Sequence, residues 1–207
     1  MQITKVVKLS KARSKVYLND EFAFVLYKGE LRRFEIEEGK EISVEDYEEI
    51  SNVIIPRRAK LRCMNLLMKK DYTQFKLHEK LRNDYKDSDI EEAIAYLKSY
   101  GYLDDKRYAT DYVAYHMERK SRMQMESDLY KRGIEKDLIQ EALSTSIVDY
   151  ENQEIELIQK WLLKKRYAQE AATIVETQKL IRFLLCKGFS ISNIKKVIYH
   201  TDFLEET

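Results

Sequence analysis

The side chains in this sequence that could support catalysis or metal binding are two adjacent aspartates and three histidines. Asp104 and Asp105 could form a catalytic acid pair, but they directly precede an apolar periodic segment, where carboxylates stabilise the first turn of a helix. We therefore interpret them as helix caps. His78, His116 and His200 are far apart and lack the HxxxH or HExxH spacing of a zinc site, so we expect exposed helical histidines,. The sequence predicts no catalytic residue and no metal site.

The cysteines, the glycines and the amino terminus favour a chain without a cofactor or a membrane partner. Cys63 and Cys186 lie in separate apolar patterns without CxxC spacing, and we expect two buried, reduced thiols,. The five glycines are scattered singly, so they form no glycine-rich phosphate loop,. No apolar signal-peptide core follows Met1, and no apolar run reaches the roughly 18 residues of a membrane span,. We expect a cytoplasmic protein.

Four tyrosines near the middle of the chain have two possible roles. Tyr100, Tyr102, Tyr108 and Tyr112 could form a stacking platform for nucleobases,. Residues 108, 109, 112 and 113, however, have the spacing of a helical stripe that faces a core, and we favour core packing for this group. Tyr102 lies outside the stripe and remains a candidate for contact with a partner.

The distribution of charge is more informative than its sum. The chain has 37 basic and 36 acidic residues among 207, a formal net charge of +1, which alone predicts neither a nucleic-acid nor a membrane partner,. Residues 57–86, however, hold ten basic and three acidic residues, whereas residues 30–49 hold nine acidic and three basic ones. Such a basic segment can attract either an acidic protein surface or DNA phosphates, and the sequence does not separate these partners.

Further basic groups occur later in the chain, where a solvated helix face is an equally good interpretation. Together with Tyr102 and the first basic segment, they supply the candidates for partner contact. These candidates are Arg57, Arg58, Arg62, Lys69, Lys70, Lys80, Arg82, Tyr102, Arg107, Arg119, Lys120, Arg122, Lys131, Arg132, Lys164, Lys165 and Arg166.

The elements that position these residues begin with a strand-like region. Apolar alternation predicts strands over 3–9, 15–18, 22–28 and 31–36, with hairpin turns at 19–20 and 28–30,. Ser43 is expected to cap a helix that has Asp46 in its first turn. Pro56 then separates this helix from the next, because a proline disfavours helical geometry in the residue before it. Residues 1–55 are thus predicted to be a small antiparallel β extension with one helix.

Beyond Pro56 the chain is mainly helical, with about nine helical segments and a pattern that recurs three times,. In each copy an apolar turn residue, Tyr85, Ile134 or Phe189, lies five positions before an isoleucine that begins an inward-facing helical stripe,. Each copy follows a further amphipathic segment. We predict three tandem three-helix repeats over residues 56–103, 104–148 and 149–207, which can pack on one another within a monomer.

A signature links the first two repeats: the run Tyr-Gly-Tyr-Leu-Asp-Asp-Lys-Arg-Tyr-Ala at residues 100–109, followed by Tyr112 and Val113. This run resembles the signature of the RecX family. The resemblance extends over residues 57–202, through Thr73, Leu77, Lys80 and Leu81, and through residues 129–134 and 183–190. The strand-rich start also resembles the extension of RecX proteins from Gram-positive bacteria.

The resemblance implies a curved, elongated module of three three-helix repeats that lies along the groove of a RecA filament on single-stranded DNA. It also implies a regulator, not an enzyme, that restrains ATP hydrolysis and strand exchange in DNA repair, recombination and the SOS response. The chain departs from the family in two places: the first copy lacks a glycine before Tyr85 and is one residue shorter, and Lys76 stands where an acidic residue is more common. The alternative function is direct DNA binding by a helix-turn-helix-like repeat.

Overall fold

A computed structural model describes residues 1–147, 149–168 and 172–199 of the chain, which folds as two units, Met1–Asp104 and Asp105–Thr207. The predicted fold class is confirmed: the described chain is mainly helical and begins with a small antiparallel sheet. The boundaries of the four predicted domains stay a prediction. One expectation, the exposed helical position of His200, lies outside the described residues.

The sheet has three antiparallel strands in the order β1 (Ile3–Lys8), β2 (Arg13–Leu18) and β3 (Glu21–Tyr27). Asn19 and Asp20 connect β2 to β3 with positive φ angles of 49° and 69°, which is the backbone that a tight two-residue hairpin requires,. The predicted turn at 19–20 is therefore confirmed.

The fourth predicted strand is wrong, because residues 28–33 form helix α1 (Lys28–Arg33). The carboxylate of Glu30 accepts a hydrogen bond of 2.8 Å from the backbone N–H of Tyr27, which fixes the first turn of this helix,. Phe34 and Ile36 are buried on either side of Glu35, whose φ is 49°. The alternation that suggested a strand therefore belongs to a turn after a helix, and the predicted hairpin at 28–30 is wrong as well.

The predicted cap at Ser43 is confirmed, since its hydroxyl accepts a 3.0 Å hydrogen bond from the N–H of Asp46 at the start of helix α2 (Val44–Glu49). The predicted break at Pro56 is wrong. A π-helical turn (Ile50–Ile54) connects α2 directly to α3 (Ile55–Leu67), and Pro56 lies in the first turn of α3. The π-helical turn lies directly before the proline, where the regular i to i−4 hydrogen bonds of an α-helix are already replaced, so the helix continues through Pro56,.

The first repeat consists of α3, α4 (Gln74–Leu81) and α5 (Asp87–Ser99), and its buried residues form one core with those of the sheet. Buried Thr73 caps α4 by accepting a 3.2 Å hydrogen bond from the N–H of Lys76. The side chain of Lys76 pairs with Glu79 at 2.6 Å, so the lysine finds a partner one turn later. The lysine in place of an acidic residue thus does not prevent a capped start of α4 at Thr73.

The second unit contains the other two repeats. They are α6 (Asp105–His116), α7 (Arg122–Tyr130) and α8 (Lys136–Ser146), then α9 (Tyr150–Lys165), α10 (Ile174–Cys186) and α11 (Ile191–Tyr199). Within the described residues, nine helices follow Pro56 when α3 is counted, as the periodicity predicts.

The three turn residues are buried as predicted, and the first turn is built differently from the others. Ile134 and Phe189 each donate their N–H to the carbonyl five residues earlier at 3.2 Å, after glycines with φ angles of 77° and 79°. Tyr85 instead bonds to the carbonyl of Leu81, four residues earlier, at 3.1 Å. The first copy therefore closes its helix without a left-handed glycine because it is one residue shorter.

Side-chain hydrogen bonds join the second and third repeats. Ser121, which is buried, accepts from the N–H of Gln124 to cap α7 and donates a 2.6 Å hydrogen bond to the carbonyl of Lys187 after α10. The amide of Gln153 donates to the carbonyl of Met117 at 2.8 Å. In both bonds a side chain of one repeat donates to a backbone carbonyl at a helix C-terminus of the other repeat, where no partner within the helix is available,.

The two thiols differ in exposure. Cys63 is fully buried, and burial raises its pKa to about 11, so it stays a neutral thiol. Cys186 is exposed at the end of α10, and the prediction that it is buried is wrong. Its neighbour Leu184 occupies the inward face of the helix in its place. Both cysteines are free.

Candidate partner-binding surface

The residues that suggested catalysis are dispersed in the structure. Asp105 is the first residue of α6 and is buried, with Asp104 directly before it. His78 lies 3.2 Å from Asp87, whereas the ring of His116 packs against Tyr112 with 4.2 Å between centroids. Across the described residues, no group of three or more histidine, cysteine or acidic side chains is placed to hold a metal ion.

The tyrosines divide as predicted. Tyr112 and its neighbours Ala109 and Val113 are buried in the core of the second repeat, with Tyr108 packed against them. Tyr102 is 54% exposed and is stacked with the exposed ring of Tyr100 at 6.2 Å. The core interpretation is therefore confirmed for the stripe, and Tyr102 stays free to contact a partner.

Cations on the first repeat form what we call the basic surface of the first unit. Its six members are exposed, and none forms an ion pair with an acidic side chain that the structure describes. Exposed cations that form no direct ion pair can attract an acidic surface or a phosphate, because no carboxylate in contact with them neutralises their charge. The six are Arg57, Arg62, Lys69, Lys70, Lys80 and Arg82.

Arg58 lies within the same basic run but serves the fold. Its guanidinium donates to the carbonyl of Val25 at 2.8 Å, pairs with the carboxylate of Glu30, and lies 4.8 Å from the ring centre of Tyr27. Its side chain is only 18% exposed. Arg58 thus ties α3 to β3 and α1, and replacing it would disturb the core of the first unit.

The candidates on the second repeat are partly engaged by its own acidic and aromatic side chains. Lys120 donates to Asp128 and to the hydroxyl of Tyr112, both at 2.7 Å, and Tyr112 donates to Asp128 at 2.8 Å. Arg132 donates to the hydroxyl of Tyr108 and to the carbonyl of Asp128, and Arg122 to the side chain of Gln140. Arg107, Arg119 and Lys131 are exposed.

This polar network shifts the pKa values of its members. Burial would raise the pKa of Asp128, but the hydrogen bonds from Lys120 and Tyr112 outweigh it and leave this pKa below its usual range. Burial raises the pKa of Tyr112. Partial burial, together with the charges of Lys120 and Arg132, lowers the pKa of His116 from its ordinary value of 6.5.

The lowered pKa of His116 gives a pH dependence with a definite sign. The folded chain disfavours the protonated ring, so neutral His116 stabilises the fold above pH 6.5, and this stability is lost as the pH falls through the lower, folded pKa,. In Lys120→Met we expect the pKa of His116, followed by NMR titration, to rise. Lys131→Met, which removes an exposed lysine, should leave it unchanged; equal pKa values in both variants would contradict this assignment.

The third repeat presents Lys164, Lys165 and Arg166 at the exposed end of α9. Lys164 lies 4.9 Å from the ring centre of Trp161, and Lys165 lies 4.5 Å from that of Phe183. A further cation, Lys187, which was not among the predicted contact residues, lies 5.5 Å from the same tryptophan ring. The sequence contains no local motif that places the end of α10 beside α9. The position of Lys187 near Trp161 follows from the packing of Trp161 on Phe183, which only the structure shows.

The fold and the surface define a class of protein: a helical repeat protein whose first unit carries six exposed cations that form no ion pair with a described acidic side chain. The described helices include none long and apolar enough to cross a membrane. The chain matches the family descriptions "RecX, second three-helix domain" at residues 104–143 and "RecX, third three-helix domain" at residues 151–198.

Full-length relatives extend this match. The chain is 34% identical to "Regulatory protein RecX" of Caldanaerobacter subterraneus subsp. tengcongensis, over 96% of this chain and 98% of the relative, and 29% identical to the protein of the same name from Clostridioides difficile, over 95% and 93%. The chain belongs to the RecX family. These relatives are named as regulatory proteins, and the matched span includes most of the β extension.

Solved structures agree with this assignment. The fold is similar to that described as "Crystal structure of regulatory protein RecX", with a TM-score of 0.65 and 25% identity over 96% of this chain and 98% of the other. The structure of RecX from Lactobacillus salivarius has a similar fold, with a TM-score of 0.60 and 24% identity over 73% of this chain and 99% of the other.

Proposed function

We propose that this protein is a cytoplasmic, non-enzymatic regulator that binds the RecA filament on single-stranded DNA and inhibits its ATP hydrolysis and strand exchange. The observation that carries the proposal is membership of the RecX family over nearly the whole chain, in which relatives are named regulatory proteins. The role would place the protein in DNA repair, recombination and the SOS response.

The basic surface of the first unit supports a contact with a charged, extended target. Six exposed cations without described ion-pair partners attract an acidic surface over a distance of about 8 Å at physiological salt,. Arg58 is excluded from the proposed contact because its guanidinium already binds Val25 and Glu30. We propose that the members of this surface, together with the exposed ring of Tyr102 in the same unit, make the first contact with the filament.

A pull-down with RecA preassembled on single-stranded DNA tests this contact. The variant replaces four cations of the basic surface, Arg57, Arg62, Lys69 and Lys70, with glutamate. We expect its affinity to fall about tenfold or more, because charge reversal at a complementary interface replaces attraction with repulsion. The matched control reverses four exposed cations of the same unit, Lys5, Lys8, Lys11 and Lys28, and should bind within about twofold of wild type,.

Equal losses in the two variants would contradict the proposed location, since both change the net charge by the same amount. Direct DNA binding is the competing function, because free cations also attract phosphates. Salt titration on duplex DNA without RecA separates the two functions. Tight binding with a steep logarithmic salt slope would favour a DNA-binding protein, and weak binding favours the filament contact.

A further inference from the structure

The third repeat contains a cleft of about 410 Å³ between the end of α9 and the side of α10. A volume of this size lies in the range of small-ligand sites. We call it the third-repeat cleft. The residues that carry its chemistry are Lys165, Arg166, Tyr167, Glu176, Lys179 and Phe183.

The cleft has an excess of positive charge. Lys165, Arg166 and Lys179 are exposed, and none forms an ion pair with an acidic side chain in the described part of the chain. Among the described residues of the lining, Glu176 is the single carboxylate, and it accepts 2.9 and 2.8 Å hydrogen bonds from the N–H and hydroxyl of Thr173. Three cations and one carboxylate give the described lining a net positive charge, which favours an anionic ligand,.

The cleft also has aromatic walls. The ring of Phe183 is half-buried and is held by edge contact with Trp161 at 5.2 Å between centroids. The hydroxyl of Tyr167 lies 3.0 Å from that of Thr177, which fixes this second ring beside the cleft. Flat rings next to unpaired cations are the two components that proteins use to hold a nucleobase and its phosphate.

We propose that the third-repeat cleft binds one nucleoside phosphate, with the base against Phe183 and the phosphate between Lys165, Arg166 and Lys179. Lys165 lies over the Phe183 ring at 4.5 Å. When the ammonium group of Lys165 moves from the ring to the phosphate, one face of Phe183 becomes available to the base. This movement is favourable because a charge-assisted hydrogen bond is stronger than an exposed cation–π contact. A site of this kind uses side-chain cations, so it needs no glycine-rich loop.

The bound nucleoside phosphate can be a free nucleotide or one nucleotide of a single-stranded nucleic acid. The proposal goes beyond the regulation of RecA, because it concerns α9 and α10 and its test needs no recombinase. Trp161 is the one tryptophan of the chain, and it contacts Phe183, Lys164 and Lys187. Its fluorescence therefore reports on the wall of the cleft.

The experiment follows Trp161 fluorescence in the full chain titrated with thymidine 5′-phosphate and with an oligo(dT) of about 12 nucleotides. We expect a saturable change with at least one of them. Lys179→Glu should weaken that binding about tenfold, because it replaces a phosphate contact with a repulsive charge. Phe183→Leu should weaken it about fivefold through loss of stacking. The matched control, Lys195→Glu, reverses an exposed lysine of α11 outside the cleft and should leave the affinity within about twofold,.

The outcomes separate the sources. Saturation by thymidine 5′-phosphate identifies a free nucleotide as sufficient, and saturation by oligo(dT) alone identifies a strand. Three results would overturn the proposal: no change with either ligand, an equal loss in Lys179→Glu and Lys195→Glu, or the same change from inorganic phosphate or polyglutamate at equal concentration. Lys179 is exposed, so its variant should keep the wild-type circular dichroism spectrum even if Phe183→Leu unfolds the repeat.

Discussion

Replacing Glu154 with alanine is expected to lower the free energy of unfolding of the second unit by about 3 to 5 kcal/mol. Glu154 is 1% exposed, and its carboxylate accepts hydrogen bonds from the Tyr150 hydroxyl at 2.8 Å, the N–H and hydroxyl of Ser190 at 3.0 and 2.6 Å, and the Asn193 amide at 2.5 Å. It thereby connects α9 to the first turn of α11. Alanine would leave several buried donors without an acceptor, and each costs about 1 to 3 kcal/mol.

Urea denaturation followed by far-ultraviolet circular dichroism measures this loss. The control is Glu156→Ala, which removes an exposed carboxylate two residues along the same helix and should change the stability by about 0.5 kcal/mol or less,. Glu154→Gln should be intermediate, because its one oxygen replaces only one of two accepting atoms. Equal stability of the alanine variants would show that the hydrogen bonds of Glu154 contribute no more than those of a surface residue.

Gly188→Ala is the second large effect, at about 2 to 4 kcal/mol. Gly188 has a φ of +79°, and an added Cβ would lie 2.8 Å from the Cβ of Met123 and 2.9 Å from the hydroxyl of Ser121. The methyl group would therefore combine backbone strain with a clash against the start of α7. The hydrogen bond from Ser121 to the carbonyl of Lys187, which joins the second and third repeats, lies at the same point.

Gly101→Ala separates these two causes. Gly101 has a φ of +70°, but an added Cβ would meet nothing within 4 Å. It should therefore cost only the backbone strain, about 1 to 2 kcal/mol, as measured by the same urea titration. A loss in Gly188→Ala no greater than in Gly101→Ala would mean that the junction between the repeats tolerates the methyl group.

The repeat architecture was predictable because its signals are local. A capping residue, a buried turn residue and the start of an inward stripe lie close together in sequence, as at Ser121, Ile134 and Ile139. The same locality misled at residues 31–36, where two buried side chains on either side of a left-handed residue imitate the alternation of a strand.

The candidate surface was less predictable, because the engagement of a cation depends on residues that are distant in sequence or on another helix. The charge pattern makes Lys120 and Lys131 equally good candidates for partner contact. In the structure, Lys120 hydrogen-bonds to Asp128 and Tyr112, whereas Lys131 is exposed. Arg58 is bound to Val25 of β3 and to Glu30 of α1, which are 33 and 28 positions away. The exposure of Cys186 likewise depends on which face of α10 packs inward. Because α10 has apolar residues on more than one face, its sequence does not decide which face is buried.

The most direct test of the proposed function is single-stranded-DNA-dependent ATP hydrolysis by RecA of the same organism, with this protein added in stoichiometric amounts. We expect the turnover of ATP to fall, and the variant reversed at Arg57, Arg62, Lys69 and Lys70 to restore it toward the value of RecA alone. Unchanged turnover together with unchanged filament length in the presence of the wild-type protein would contradict the proposal that it regulates RecA.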